Sequence, residues 1–232
     1  MPRHVLLAKF KQTSPVIGKA AREKRDHLDT NITRTPQLYY EHANGEFEEV
    51  PNNGMVVYYL GRGINRQNIV PFPPGLKMMS GDALARSYNN VTMTWGNATN
   101  PPEVLANRVS FNCLDESGPM PQQPYMFRTN CSDGLRAQVQ FQSCWDGVNL
   151  YKSDQSHVAY MSQIDNGACP PTHPVQFVHL FFEVLYGVNN VDQSDGGRFV
   201  FANGDPTGYG KCRPTFGFVT FANRLQDSTV TS

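Results

Sequence analysis

The sequence predicts a single, mainly β domain, an antiparallel β-sandwich or jelly roll with long loops. Residues 135–141 alternate apolar and polar side chains without interruption, which is the pattern of a half-buried strand. The 232 residues include 19 glycines and 17 prolines, which favour turns, and 11% are aromatic, too many for a disordered chain. We therefore expect one core built from several short strands.

The first strands are predicted as a hairpin at residues 37–42 and 46–50. The Asn44-Gly45 pair between them supplies residues that adopt the positive φ angles of a tight turn. Residues 55–60 are largely apolar, so we expect a third strand that is buried on both faces.

The rest of the chain is predicted to alternate loops and strands. Residues 61–107 are expected to be mostly loop, and further strands are predicted at 108–112, 135–141, 157–160 and 198–202. The most apolar run, 175–188, is long enough for a helix. Its β-branched and aromatic residues, and the bracketing Pro174 and Gly187, favour a strand or a bent strand pair. No repeat and no linker is evident, so one domain is expected.

Charge and hydropathy exclude two classes of protein. Only 17% of the residues are charged, where about a quarter is usual, and 20 basic residues balance 20 acidic ones. Nucleic-acid binding needs surplus cations, so no nucleic-acid partner is expected. No run approaches the ~18 apolar residues of a membrane-spanning helix, so no membrane span is predicted. The sequence identifies no cofactor and leaves the oligomeric state open.

Cysteines and glycosylation sequons favour a secreted protein. The five cysteines are an odd number, which leaves one unpaired or bonded to another partner, and they lack the C-x-x-C spacing of a zinc site. Four N-x-S/T sequons predict glycosylation at Asn31, Asn90, Asn97 and Asn130.

The N-terminus indicates the opposite of secretion. Lys9 and Lys11 interrupt the apolar run that a signal peptide requires, and residues 18–29 are charged and helix-like. We therefore expect either that the protein is not exported by the usual route or that its first ~30 residues are not the natural start.

No standard catalytic motif such as G-x-S-x-G, H-E-x-x-H or a phosphate-binding glycine loop occurs, so candidate site residues come from polar clusters. Asp146 follows the alternating strand and either faces a groove or forms an Asp-Gly turn beside a disulfide. Trp145 either stacks on a sugar ring or packs in the core. Arg136 lies on the polar face of the strand and is predicted to contact a ligand.

Two histidines are candidates for proton transfer and for metal binding. His157 follows Asp154 by three residues, and a carboxylate near an imidazole can orient it for either task. His173 lies in a proline-rich loop that holds it in one orientation. A structural role for each is the alternative.

The last candidates lie in the apolar run and after the final strand. His179 and Glu183 are four residues apart, so in a strand both point to the same face, as a buried general acid or as part of a solvated face. Asp205 belongs to a Gly- and Asp-rich cluster that fits calcium binding or a multiple turn, without the spacing of an EF-hand.

The order of these segments resembles a fungal secreted domain of unknown function, the DUF1996 family, whose members often carry carbohydrate-binding WSC modules. The resemblance covers residues 36–210. It is carried best by Asn130-Cys-Ser-Asp-Gly-Leu-Arg-Ala-Gln-Val139, Ser143-Cys-Trp-Asp-Gly147 and Ser156-His-Val-Ala-Tyr160, and it continues through Phe199-Val-Phe-Ala-Asn-Gly-Asp-Pro-Thr-Gly-Tyr-Gly210. It implies an extracellular or cell-wall location and a polysaccharide ligand.

Both ends depart from the family pattern. Residues 1–35 lack the signal peptide and the Ser-Ser-His-x-His-like motif of members, and residues 211–232 form a divergent tail. These departures indicate a mispredicted gene model. If Cys212 belongs to the foreign tail, four cysteines remain, and we expect the pairs Cys144–Cys169 and Cys113–Cys131.

Three functions fit the sequence and the resemblance. The first is a polysaccharide-active hydrolase or lyase that uses Asp146, His157, His173 and Asp205, with Trp145 as the sugar platform and with the two histidines in a metal or acid–base cluster. The second is a non-catalytic carbohydrate-binding or cell-wall structural protein. The third is a truncated, inactive product.

Overall fold

The computed structural model describes residues 5–8, 31–34, 36–82, 90–123, 126, 129–202 and 219–223. These residues form fifteen strands: β1 (Val5–Ala8), β2 (Asn31–Arg34), β3 (Leu38–Glu41), β4 (Phe47–Glu49), β5 (Asn52–Leu60), β6 (Lys77–Ser80), β7 (Val109–Asp115), β8 (Gly118–Pro119), β9 (Leu135–Gln140), β10 (Cys144–Trp145), β11 (Val158–Ala159), β12 (Val175–Gln176), β13 (His179–Tyr186), β14 (Arg198–Phe201) and β15 (Val219–Asn223). Short 3-10 turns lie at Arg66–Asn68, Leu105–Arg108 and Val188–Asn190.

One large antiparallel sheet organises the fold. Its six strands lie in the order β1-β5-β13-β9-β7-β8, and β13 pairs with β5 on one side and β9 on the other. Side chains of a strand alternate between its faces, so Leu180, Phe182, Val184 and Tyr186 point to one face and are all buried. The sequence alternation of β9 therefore continues across the sheet and defines a core face and an outer face.

A second layer covers the core face of the large sheet. The three-stranded sheet β14-β3-β4 contributes Phe201, whose ring lies 6.1 Å from that of Phe111 on β7 and 5.7 Å from that of Tyr186 on β13. The Tyr186 hydroxyl donates a hydrogen bond of 2.6 Å to the carbonyl of Pro36, which satisfies the one polar atom of that buried ring. Two packed antiparallel layers confirm the predicted β-sandwich.

Two smaller antiparallel sheets complete the described architecture, β2-β15-β6 and β11-β10-β12. No helix formed by the described residues is long and apolar enough to cross a membrane. The described ranges cover most of the predicted domain of residues 36–210. Most of the predicted N-terminal segment and tail, including Cys212, lie outside them.

The predicted hairpin is present, but its turn differs from the expectation. β3 and β4 pair, and the connecting loop closes with hydrogen bonds from the Gly45 and His42 backbone N–H groups. Gly45 has a φ of 87°, whereas Asn44 is not among the residues with positive φ. The loop of residues 42–46 is thus longer than a two-residue turn, and within it only Gly45 adopts the left-handed conformation.

The prediction for residues 55–60 is wrong in its burial. These residues do form part of β5, but Met55 is the buried one and Tyr59 is 37% exposed. β5 lies next to the edge strand β1, whereas β13 lies further inside the sheet, between β5 and β9. The apolar run 175–188 forms two consecutive strands, β12 and β13, as the alternative of a bent strand pair predicted, and these strands belong to different sheets. Strand β6 lies within the segment 61–107, for which the sequence predicts mostly loop.

Replacement of Gly134, which immediately precedes β9, should destabilise the fold strongly. Gly134 has a φ of 98°, and a Cβ atom there would lie 2.8 Å from the Tyr186 carbonyl oxygen. Gly45 has a similar φ, but its Cβ would meet nothing within 4 Å. Gly45→Ala should lower the free energy of unfolding by about 1 kcal/mol through backbone strain alone. Gly134→Ala should cost clearly more, because the β13 backbone must also move. Urea denaturation of both variants measures the difference, and equal losses would contradict the close approach.

Candidate functional site

Two disulfides fasten the loops around the sandwich. Cys113 on β7 is bonded to Cys131, and Cys144 on β10 is bonded to Cys169. Both pairs are those expected for this chain. The second bond holds the proline-rich loop that begins at Cys169 against β10.

The Asp146 carboxylate is engaged by its own loop. One oxygen accepts the backbone N–H groups of Val148 and Asn149 at 2.8 and 2.9 Å, and the other accepts the Asn149 amide at 2.7 Å. Partial burial raises the pKa of Asp146, but these hydrogen bonds and nearby Lys152 outweigh it and lower the pKa below the usual range. The geometry matches the turn interpretation and does not support the predicted catalytic role.

Trp145 lies against the core. Its ring stacks on Phe177 with the ring centroids 5.6 Å apart, and its indole N–H donates to the Asn149 carbonyl at 2.6 Å. Trp145 packs against the main core cluster. Of the two interpretations of this residue, the core position fits, because Trp145 packs on the core and lines neither of the two pockets described below.

His157 is fully buried and both ring nitrogens have partners. Nε2 donates to the Lys77 carbonyl at 2.7 Å, and Nδ1 accepts the Lys152 backbone N–H at 3.2 Å. Asp154 accepts the Ser156 backbone N–H instead of orienting the imidazole. No lone pair of His157 is left for a metal ion, and no group of three or more metal-ligating side chains occurs among the described residues.

Arg136 and Glu183 meet in a polar network on the outer face of the large sheet. Their side chains lie 3.5 Å apart, and Glu183 also accepts hydrogen bonds from Tyr58 at 3.0 Å and Gln138 at 3.3 Å. His179 lies on the same face, as its spacing from Glu183 predicts, and bonds to other partners. Glu183 is thus a structural partner of Arg136 in place of the predicted ligand, while the Nε of Arg136 is buried without a hydrogen-bond partner among the described residues.

A groove of about 570 Å³ lies on one side of the sandwich, between three loop segments. The first segment, around Trp95, is held by the bridge between Thr92 and Val104. The second contributes residues 154–156 and 158–160, and the third is the disulfide-anchored loop 170–173. The groove is thus built from segments far apart in sequence.

The groove combines one tryptophan with several polar groups. Trp95 is half-buried, and its indole N–H donates to the Tyr160 carbonyl at 3.1 Å, which fixes the ring. His173 also lines the groove, with Nε2 bonded to the Ser156 carbonyl at 3.0 Å and Nδ1 2.9 Å from the Thr172 hydroxyl. Arg108 and Asp154 supply the charged groups of the lining.

The groove therefore contains only part of the predicted site. It brings together His173 and the Asp154 carboxylate, but Asp146, His157, Trp145 and Arg136 are not among its lining residues. Asp205 lies outside the described residues. Sequence reasoning missed Trp95 and Arg108, because their surroundings predict only loop and strand, and no local pattern signals that they face a groove.

A second pocket of about 450 Å³ borders the outer face of the large sheet. Gln140 and Ser110 lie at its base, and Glu103 and Asp165 supply carboxylates. Asp165 is paired with Arg62 at 3.0 Å. The described lining contains no aromatic ring, so this pocket lacks the stacking surface that the groove has.

The predicted glycosylation sites are compatible with attachment of glycans at three positions. Asn90, Asn97 and Asn130 are exposed, and Asn31 begins strand β2. The Asn97 side-chain oxygen accepts the backbone N–H groups of Thr99 and Asn100, which fixes its side chain in a turn. Glycosylation at these sites stays a prediction.

The fold and the groove define a disulfide-linked β-sandwich protein with a tryptophan-lined surface groove. The chain belongs to the family described as Domain of unknown function (DUF1996), whose model matches residues 29–212. Comparisons with the curated proteins and with the solved structures found no match.

Proposed function

We propose that the protein binds polysaccharide in the groove and does not cleave it. The observation that carries the proposal is the fixed, half-buried indole of Trp95 in a groove that also offers polar groups. A sugar ring has an apolar C–H face and a rim of hydroxyls, so it suits an aromatic surface beside hydrogen-bonding side chains. Tyr160, Gln142 and His173 line the same groove.

Binding fits this groove better than hydrolysis does. Most glycosidases use two carboxyl groups that flank the scissile bond. Asp154 is the one carboxylate among the described lining residues of the groove, and the Ser156 backbone N–H binds it. The polysaccharide hydrolase therefore has less support than the non-catalytic alternative.

We further propose that the protein works outside the cell, on a cell-wall or plant polysaccharide. Two disulfides support this location, since such bonds persist in oxidising compartments. The resemblance to secreted fungal domains also supports an extracellular location.

Trp95→Ala tests the binding site. We expect the variant to lose roughly tenfold to a hundredfold in affinity for the polysaccharide, as removal of a central aromatic contact typically does. Retention on insoluble β-glucan, chitin and pectin, followed by calorimetry with soluble fragments of the polymer retained, measures the effect.

Phe47→Ala is the matched control for this test. Phe47 is 61% exposed and lies on β4, so its removal deletes a surface aromatic ring outside the groove and should leave affinity unchanged. Equal binding by Trp95→Ala and the wild type would contradict the proposed site. New reducing or unsaturated ends in the incubation mixture would instead restore the enzyme hypothesis.

A further inference from the structure

We infer that the ligand of the groove is an acidic polysaccharide, a polymer of carboxylated sugars, bound through Arg108. The inference rests on the proposed function, since it names the chemical class of the ligand of the same groove. Arg108 is half-buried at the end of the 3-10 turn Leu105–Arg108 and lines the groove with Trp95.

The guanidinium of Arg108 differs from those of Arg136 and Arg62 in its hydrogen-bond and ion-pair partners. Arg136 and Arg62 pair with Glu183 and Asp165, whereas Arg108 has no hydrogen bond or ion pair with any residue that the structure describes. Partial burial of an uncompensated charge is unfavourable, and a carboxylate ligand removes that cost. The planar fork of an arginine can hold both oxygens of a carboxylate at once.

The opposite charge in the groove is already compensated. Asp154 accepts the Ser156 backbone N–H at 3.0 Å. Its pKa lies below the usual range, chiefly because of hydrogen bonds from Ser156, with a smaller contribution from Lys152. The charge that lacks a described partner in the groove is therefore positive. An aromatic ring and a guanidinium without a partner among the described residues lie in one groove, and they match the apolar face and the carboxylate of a uronic acid.

Homogalacturonan provides a matched pair of probes, because methyl esterification removes the carboxylate charge and keeps the backbone. We expect the wild-type protein to bind the de-esterified polymer about tenfold or more tightly than the esterified one, since hydrogen bonds to charged groups are worth more than neutral ones. This preference should shrink as the NaCl concentration rises from about 20 to about 200 mM, because salt screens the attraction between the guanidinium and the carboxylates.

Arg108→Gln should abolish the preference for the acidic polymer while it changes the affinity for the esterified polymer little. Arg66→Gln is the control, because Arg66 is exposed and lies outside the groove lining. Asp154→Asn should strengthen binding of the acidic polymer. If Arg108→Gln folds poorly in thermal denaturation, the salt dependence of the wild type decides the question.

The outcomes separate the inference from the proposed function. Equal wild-type affinity for the two polymers at low salt, or equal losses for both in Arg108→Gln, would overturn the acidic ligand and leave carbohydrate binding in place. No binding of acidic or neutral polysaccharides by the wild type would overturn the proposed function, and the inference with it.

Discussion

Removal of the Cys144–Cys169 disulfide should lower the free energy of unfolding by about 3.5 kcal/mol. The bond closes a sequence separation of 25 residues, and loss of such a cross-link restores the conformational entropy of the unfolded chain on this order. The double variant Cys144→Ala/Cys169→Ala, unfolded in urea alongside the wild type, measures the loss.

The same variant should also weaken ligand binding. Cys169 immediately precedes Pro170 and Pro171, which with His173 form one wall of the groove. Without the bond this wall is free to move, so the protein must order it when the ligand binds, and affinity falls. Affinity is measured at a temperature where the variant remains folded.

The other disulfide is the matched control. Cys113–Cys131 closes a separation of 18 residues, and its loss should cost a similar free energy of unfolding, about 3 kcal/mol. Unlike Cys169, neither cysteine is next in sequence to a residue that lines the groove, so ligand affinity should not change. Equal affinities in the two double variants would show that Cys144–Cys169 stabilises the fold without positioning the groove.

The large sheet could be predicted because its signals are local. The alternation of residues 135–141 shows directly in the sequence which side chains of β9 face the core. The spacing of His179 and Glu183 likewise predicts that both lie on one face of a strand, and the pairing of β13 with β5 and β9 agrees. A strand carries its own periodicity, so neither result depends on knowing its neighbours.

The groove could not be predicted because distant segments form it. Arg108 becomes part of a site only when the 90–108 segment, residues 154–160 and the loop after Cys169 come together. The hydrogen bond of 2.8 Å from the Glu103 backbone N–H to the Ser162 carbonyl is one of the contacts that join them. No local pattern encodes such a contact.

The partners that a side chain has in the folded protein decide whether it is available for catalysis. Asp146 and His157 have side chains suited to catalysis, and their spacing near a strand end suggested a site. Hydrogen bonds from their own loop satisfy the Asp146 carboxylate, and backbone groups satisfy both nitrogens of His157. The sequence specifies the functional group but not whether its partners are already present.

Mild acid should destabilise the protein through the buried imidazole of His179. His179 is buried, with Nδ1 2.7 Å from the Ser143 hydroxyl and Nε2 2.6 Å from the Gln140 amide oxygen. Burial, with a smaller effect of nearby Arg62, lowers its pKa from 6.5 to about 3. The folded protein therefore holds this imidazole neutral at a pH where the unfolded chain binds a proton.

The sign and window of the effect follow from this depressed pKa. The stabilising contribution is fully present above pH 6.5 and is lost as the pH falls toward 3. Each pH unit within that window costs up to about 1.4 kcal/mol, so the free energy of unfolding should fall by about 2.5 kcal/mol between roughly pH 7 and pH 4.5. Asp146 and Asp195 have lowered pKa values, so their contributions are lost only at lower pH.

His179→Gln isolates the contribution of this residue. The substitution is expected to be destabilising at pH 7, because one glutamine cannot replace both ring nitrogens, so the measured quantity is the slope of unfolding free energy against pH.

His42 has the opposite shift, because a hydrogen bond to Asp195 raises its pKa, and its contribution is lost as the pH rises. Both proteins retain His42, so its contribution cancels in the difference between the two slopes. Between about pH 6.5 and 4.5 only the unfolded chain binds this proton, so the variant should lose most of the slope in that range. Parallel slopes in the two proteins would mean that the folded state accommodates the protonated imidazole.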